Sequence, residues 1–353
     1  MSDFPTHPPE TDLYLPDPTD GTSWDPMTIC THCSIVSVPD AAISIFVYLR
    51  VLPAYGMSQG GLSIFQGLDN PANDGGVAYV DYRETMPWPT VGERRFDTAN
   101  GLGIEFVEPG RVLRVTYTSP DGATSLDVTQ TAVTPLLARG HIIPGEDEDG
   151  DASLSPGGSE QFMHNVGELV LHGERHVIDS HDCRDRSWRQ VRSEAANAAG
   201  APPVCWTPMH FGDDLTFNQV SIEHARTNPW WTGLFEVPDE HPTHHFAWAR
   251  VDGAMRRVTR VDRDVHEYHP TLLIPTRQTV EAEDETGRTY RFEGEALAAA
   301  AVPAWSNATL RQFLYRWTDA DTGRTAANSG QEIWLDNRYA PHAARRAAAA
   351  VEA

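Results

Sequence analysis

The sequence of 353 residues contains no lysine, so its 27 basic side chains are all arginines. Schiff-base chemistry and Walker-type phosphate loops both depend on a lysine, and both are therefore excluded. Aspartate and glutamate together number 50, which gives a formal net charge of −23. Because this charge repels nucleic acid phosphates and anionic lipid surfaces, we expect neither nucleic acid nor a membrane as a partner.

Long apolar runs are also missing. No stretch approaches the roughly eighteen continuous apolar residues that span a bilayer. The N-terminal MSDFPTHPPETDLYLPDPTDG lacks the basic and apolar regions of a secretion signal. We therefore expect a cytoplasmic protein without stable membrane insertion. The oligomeric state stays open, with a homodimer as one alternative.

Cysteine is scarce, with four residues in the whole chain. Cys30 and Cys33 form a CxxC pair around His32, but a structural zinc site would need a second pair at similar spacing, which the sequence lacks. The histidine-rich HPTHH at 241–245 keeps a metal-dependent hydrolase as an alternative, although HExxH is absent. GxSxG and a strand–GxGxxG–helix context are absent too. We expect no metal and no cofactor.

Turn residues separate pairs of β-rich runs at regular intervals, at 119–122, 172–173, 251–253, 283–287 and 319–323. Consecutive hairpins without crossover helices predict an antiparallel meander, which commonly closes into a barrel. The expected fold class is all-β with few short helices. Helices are predicted only for the alanine-rich C-terminal tail and for GEALAAAAVPAW near residue 300.

An acidic, serine- and glycine-rich stretch at 143–160 divides the chain into two strand-rich halves. We predict two β-barrel domains, one comprising residues 1–150 and the other residues 151–353.

The segment EQFMHNVGELVLHGERHVIDSHDCRDRSWRQVR contains a glycine hairpin followed by RDRSWR at 184–189. It resembles the RDHSWG signature of the hydroxyneurosporene synthase (carotenoid 1,2-hydratase)-like family, also called AttH-like. Arg186 replaces the family's histidine and Arg189 its glycine, which puts any chemistry of that histidine in doubt here. A late stretch, DADTGRTAANSGQEIWL, is similar to the family's closing hairpin, with Gly330 and Glu332.

This resemblance implies two lipocalin-like (calycin) barrels packed together and a hydrophobic ligand, since relatives include hydratases and cyclases acting on isoprenoids. Fold alone does not fix function. If RDRSW is a strand, Arg184, Arg186 and Trp188 share one face, and Asp185 and Ser187 share the other. A buried Asp185 would need a partner, which an arginine can supply. The motif is therefore either a buried brace or a catalytic element.

Further candidates lie in the second half. The strand THHFAWAR places His244, Phe246 and Trp248 on one face, which reads as a pocket lining or as an ordinary core strand. The remaining candidates are His210, Phe217, Asn218 and, in the loop NPWWTG, Trp231.

The leading hypothesis is a cofactor-independent lyase or isomerase, of hydratase or cyclase type, acting by acid–base chemistry on an isoprenoid-like or aromatic hydrophobic molecule. Its alternative is a non-catalytic carrier or sensor of such a ligand. Asp185 is expected as the acid or orienter, and His244 or His210 as the proton shuttle. The expected substrate-binding residues are Arg184, Trp188, Phe217, Asn218, Trp231, Phe246 and Trp248.

Overall fold

The computed structural model describes residues 4–68, 77–139, 157–191, 204–222, 244–270, 272–305 and 308–352. These residues form two antiparallel sheets in two compact units. The first unit contains the described residues up to Val191, apart from Gly67 and Leu68, and the second contains the rest. The all-β class is confirmed. No helix in the described ranges is long and apolar enough to cross a membrane.

The first sheet contains twelve strands. They are β1 (Thr28–Val38), β2 (Ile43–Leu52), β3 (Met57–Gln66), β4 (Val77–Pro87), β5 (Thr90–Val91), β6 (Arg95–Asp97), β7 (Gly103–Glu108), β8 (Val112–Thr118), β9 (Ser125–Ala132), β10 (Leu137–Ala138), β11 (Gly157–Leu171) and β12 (Glu174–Val191). Short 3-10 helices precede or connect them at Pro9–Leu13, Pro39–Ala41 and Pro53–Tyr55.

The first sheet runs in the order β4-β3-β2-β1-β12-β11-β9-β8-β7-β6-β5 and curves into a half-barrel. Ile45 of β2 packs in one buried cluster with Val115 of β8, although these strands lie far apart in the sheet. The face that carries this cluster is therefore the concave one, and we call it the inner face. The opposite face is the outer face.

The second sheet contains nine strands, and the one α-helix of the described residues follows its last strand. They are β13 (Val204–Trp206), β14 (Met209–His210), β15 (Leu215–Ile222), β16 (His244–Val251), β17 (Ala254–Tyr268), β18 (Pro275–Asp284), β19 (Thr289–Trp305), β20 (Ala308–Asp319), β21 (Thr325–Leu335) and α1 (Asp336–Glu352). Because β13 pairs with both β21 and β15, eight strands close into a barrel, and β14 pairs with β15 beside it. Aromatic side chains such as Phe217, Phe313 and Trp317 fill the lumen.

The predicted hairpins at 119–122, 172–173, 251–253, 283–287 and 319–323 are all present, as is the C-terminal helix. The helix predicted near residue 300 is wrong, because GEALAAAAVPAW belongs to β19. Ala296 and Ala299 pack into the lumen cluster, so burial between β18 and β20 outweighs the helix propensity of alanine.

The domain boundary predicted at residue 150 lies too early in the chain. Strands β11 and β12 follow the acidic stretch, yet β11 pairs with β9 and β12 pairs with β1, so both complete the first sheet. The RDRSW motif therefore belongs to the first unit, not to the second. The first unit is a half-barrel, and only the second closes into a full barrel.

Candidate active site

A row of directly paired residues crosses the outer face of the first sheet. Glu160 on β11 pairs with Asp185 on β12, which pairs in turn with Cys33 on β1. Cys33 pairs with Tyr48 on β2, and Gly61 on β3 separates Tyr48 from Tyr82 on β4. Directly opposed residues point to the same side of a sheet, with Cβ atoms about 4.5–5.5 Å apart. We call these six residues the cross-sheet row.

Two carboxyl groups form one end of the cross-sheet row. Glu160 is 1% exposed, and the side chain of Asp185 is 14% exposed. Arg139 binds Asp185 through an ion pair of 2.8 Å, from Nε to Oδ2, and its own side chain is fully buried. The guanidinium also donates to the Ser187 hydroxyl. Arg139 therefore stabilises the carboxylate form of Asp185.

Glycine creates the space that this arginine occupies. A Cβ atom at Gly158 would lie 2.5 Å from Nε of Arg139, so no other residue fits there without moving the guanidinium. The backbone amide of Arg139 also donates to the Gly158 carbonyl at 3.1 Å. These contacts hold the charged group against β11, beside the pair of carboxyl groups.

Aromatic rings form the other end of the cross-sheet row. The ring of Tyr48 stacks on Tyr82 with centroids 6.4 Å apart and on Phe46 with centroids 5.4 Å apart. Gly61 leaves room between the two tyrosines because it has no side chain. The Ser63 hydroxyl, opposite Phe46, is buried and has no hydrogen-bond partner among the described residues. An apolar surface with an unused hydroxyl suits a planar, weakly polar ligand.

The thiol of Cys33 and the phenol of Tyr82, both in the cross-sheet row, stay protonated. Burial raises the pKa of Cys33 well above its usual value, and the neighbouring Asp185 raises it further. Burial likewise raises the pKa of Tyr82, with Tyr48 and Glu84 adding to it. Cys33 is therefore no nucleophile.

The inner face of β12 carries the other half of the RDRSW motif. Both terminal nitrogens of Arg184 bind Asp12 in the Pro9–Leu13 helix, at 2.8 and 2.7 Å. Trp188 packs in the inner core, with its ring against the backbone of Gly157. Arg184 and Trp188 therefore point away from Asp185, as the alternation predicted, and the expectation that all three line one pocket is wrong.

The candidate site residues from the second half of the sequence lie in the second unit, some in the lumen of the barrel and some on its outside face. Phe217 lies in the lumen cluster. Because Ala247 and Ala249 also point inward, the alternating Phe246 and Trp248 lie outside, and so does Asn218, the strand partner of Trp248. His244 does not share that face, because the register shifts between Val220 and Ser221 and His244 pairs with Ser221, which alternates with Val220. The expected aromatic pocket is therefore divided, and Trp231 lies outside the described residues.

The two predicted proton shuttles are half-buried. His210 lies within 2.9 Å of the Thr216 hydroxyl through Nδ1, and its backbone amide donates to Asn328. Burial lowers the pKa of His244 below its usual value. Neither histidine belongs to the unit that contains Asp185, so the predicted acid and shuttles come from different units.

Sequence reasoning missed Glu160, Arg139, Tyr48 and Tyr82, because strand pairing between distant segments brings them to Asp185. It also missed Arg263. This arginine reaches across the barrel lumen to Glu332 at 2.8 Å, with both side chains fully buried. The resemblance pointed to Glu332 through the closing hairpin, but nothing in the sequence marks Arg263.

Metal ligands do not gather in the described part of the chain, where no group of three His, Cys, Asp or Glu could hold an ion. All four cysteines are free and buried. Cys30 packs in the inner core while Cys33 belongs to the cross-sheet row, so the CxxC pair is divided between the two faces. A surface cavity of about 470 Å³ in the second unit, lined by His266, Arg277 and Arg316 among others, contains none of the predicted site residues.

The fold and the cross-sheet row define an all-β protein of two units with a carboxyl pair beside an aromatic surface. Residues 31–329 match the family described as Domain of unknown function (DUF7064), and the chain belongs to this family. No curated protein matches the sequence.

Two solved structures share the fold. Kievitone hydratase from Nectria haematococca is 14% identical with a TM-score of 0.50, and the match covers 88% of this chain and 89% of that one. A protein assigned as AttH from Nitrosomonas europaea is also 14% identical, with a TM-score of 0.49 and coverage of 92% and 100%. The predicted AttH-like resemblance is confirmed, and at these identities it establishes a shared fold and no more.

Proposed function

We propose that the protein is a cofactor-independent lyase of hydratase type, which adds water to, or removes it from, a small hydrophobic molecule with aromatic or isoprenoid character. The observation that carries this proposal is the cross-strand pair of Glu160 and Asp185, with Arg139 bound to Asp185. Kievitone hydratase, a protein of similar fold, has a name that agrees with this proposal.

Burial gives the two carboxyl groups different roles. The ion pair with Arg139 stabilises the charged form of Asp185, which can then act as a base. Glu160 is 1% exposed, whereas the side chain of Asp185 is 14% exposed, and deeper burial together with repulsion between neighbouring carboxylates favours the proton on Glu160. Glu160 therefore acts as the acid, and Asp185 activates water.

In the hydration direction, Glu160 transfers its proton to one carbon of a polarised double bond. Water forms a C–O bond at the other carbon, and Asp185 accepts a proton from that water. The proton returns from Asp185 to Glu160 between turnovers, so water is the only reactant consumed. Tyr48 and Tyr82 stack against the apolar part of the substrate and stabilise positive charge that develops on it.

A labelled-water assay tests this function. Kievitone, other prenylated phenols and isoprenoid alkenes are incubated with the protein in H₂¹⁸O, and mass spectrometry follows the gain of one labelled water. We expect turnover of at least one compound. Glu160→Gln and Asp185→Asn should each lower it by about 100-fold or more, since a positioned acid or base contributes about 10²–10⁴-fold.

Asp179→Asn is the matched control, because Asp179 lies on the same face of β12 but is largely exposed and binds only His164 at the surface. Its turnover should equal that of the original protein. Full activity in the folded Glu160→Gln and Asp185→Asn variants would rule out this carboxyl pair. Tight binding with the compound recovered unchanged would instead establish a carrier.

A further inference from the structure

We infer that the inner face of the first sheet contains a second binding site, at Arg186 and His32, for a carboxylate attached to an apolar body. This site lies on the other side of β12 from the cross-sheet row, because Arg186 and Asp185 are neighbours on one strand. It is therefore independent of the proposed reaction.

The first observation is a buried positive charge. Arg186 is 1% exposed, and its terminal nitrogens donate to the backbone carbonyls of Thr11 and Tyr14. Both acceptors are neutral. Its Nε has no hydrogen-bond partner among the described residues. Burial lowers the pKa of Arg186 to about 10, which reflects the cost of holding this charge away from water.

The neighbouring charged side chains do not neutralise the positive charge of Arg186. Arg184, also buried, binds both carboxylate oxygens of Asp12, and Asp12 also accepts from the amide of Gly110 at 2.6 Å. Two guanidinium groups thus share one carboxylate, and that carboxylate is already used in a bidentate pair. A buried charge without a counterion is costly, so the arrangement favours an additional anion.

The second observation is an unused polar atom beside this charge. His32 is 6% exposed, and its Nε2 has no hydrogen-bond partner among the described residues. Burial and the two guanidinium groups hold the pKa of His32 well below its usual value, so the ring is neutral. In the tautomer protonated at Nε2 it can donate to an incoming carboxylate without adding charge.

The surroundings indicate the rest of the ligand. The rings of Phe96 and Phe106 lie with their centroids 5.3 and 5.7 Å from that of His32, and both are buried. They form an apolar wall next to the charged group. Arginine recognises carboxylates through a planar fork, as the pair of Arg184 and Asp12 already shows a few residues away. A small arylalkyl carboxylate combines both requirements.

The test measures binding of phenylacetate and of its uncharged analogue phenylacetamide to the full chain by calorimetric titration and by thermal shift. Phenylacetate should bind and raise the melting temperature, and phenylacetamide should bind at least tenfold more weakly. Arg186→Met should weaken phenylacetate binding by tenfold or more, and His32→Phe by several-fold. Arg114→Met, at an exposed arginine of β8, should have no effect.

The outcomes separate this site from the proposed reaction. Asp185→Asn and Glu160→Gln should leave phenylacetate binding unchanged, whatever their effect on turnover. Equal affinity for the acid and the amide, or unchanged affinity in a folded Arg186→Met variant, would overturn the anion site. Stabilisation by chloride or phosphate to the same extent as by phenylacetate would overturn the apolar part of the assignment.

Discussion

At the scale of single residues, burial decides which groups carry charge. Asp12 and Asp185 are ion-paired with arginines, while Cys33 and His32 are buried without a compensating partner and stay neutral. Burial by itself would raise the pKa of Asp12, but the charge and hydrogen bonds of Arg184 together hold it below its usual value. The fold therefore fixes which of these buried groups carry charge.

Two buried histidines predict how stability depends on pH. Burial and nearby arginines lower the pKa of His342 to about 4, and that of His32 lies well below 6.5. The unfolded chain binds protons at these positions below about pH 6.5, while the folded chain does not, so stability falls as pH decreases from there. Each histidine contributes a slope of up to about 1.4 kcal/mol per pH unit.

Urea unfolding between about pH 7 and about pH 5 measures this slope. His32→Phe should flatten it, because the ring that resists protonation is gone and its aromatic contacts with Phe96 and Phe106 are kept. His266→Asn, at an exposed histidine, should leave it unchanged. Equal slopes in the original protein and in His32→Phe would contradict the neutral state of His32.

At the scale of elements, local signals predicted the hairpins and the long-range pairings remained hidden. Turn residues such as Asp252-Gly253 act over a few positions, so the sequence marks them. The pairing of β1 with β12 joins segments about 150 residues apart, and no local pattern encodes it. The acidic stretch at 143–160 led to a wrong domain boundary for the same reason, since it interrupts the chain within the first sheet and does not separate the two sheets.

The candidate site, like the fold, was predictable where a local motif marks it and hidden where long-range strand pairing forms it. The RDRSW motif led to Asp185 and to the correct alternation of its neighbours. Glu160 and Tyr48 carry no motif, and they become part of the site only through pairing across β11, β12, β1 and β2. The aromatic strand THHFAWAR misled because Trp248 on its outside face is buried as fully as Ala247 and Ala249 on its lumen face, so hydrophobicity alone could not tell lumen from exterior.

Gly61 makes an element-scale prediction about β3. It adopts a φ of +138°, and a Cβ atom there would lie 1.9 Å from the carbonyl oxygen of Asp81. Gly61→Ala should therefore force β3 and β4 apart and destabilise the protein by about 1–3 kcal/mol or more. Gly92→Ala is the control, because a Cβ there would make only ordinary contacts, at 3.6 Å and beyond. Thermal unfolding with similar melting temperatures for both variants would contradict this account.

At the scale of the whole molecule, each unit has a buried ion pair that ties distant segments of the chain together. In the first unit, Arg184 of β12 holds Asp12 near the N-terminus. In the second, Arg263 of β17 and Glu332 of β21 meet across the lumen from opposite sides of the eight-strand ring. Gln278 accepts from Arg263 at 2.7 Å, and Trp334 donates to Glu332 at 2.7 Å. A pair with these additional bonds positions strands that do not contact each other directly.

Removing one member of each pair should loosen the unit that contains it. Breaking a buried pair leaves the partner charge uncompensated and costs about 3–5 kcal/mol. Asp12→Asn should therefore increase amide hydrogen exchange in β1, β11 and β12, and Glu332→Gln should increase it in β17, β20 and β21, as measured by mass spectrometry of peptides. The double variant Arg263→Met with Glu332→Leu removes both members of this pair, but Arg311, which is 1% exposed and lies directly opposite Glu332, stays in the lumen. We therefore expect it to regain only part of the protection lost in Glu332→Gln. Unchanged exchange in both single variants would show that neither pair holds its strands, and full recovery in the double variant would show that apolar side chains serve the lumen as well as the pair does.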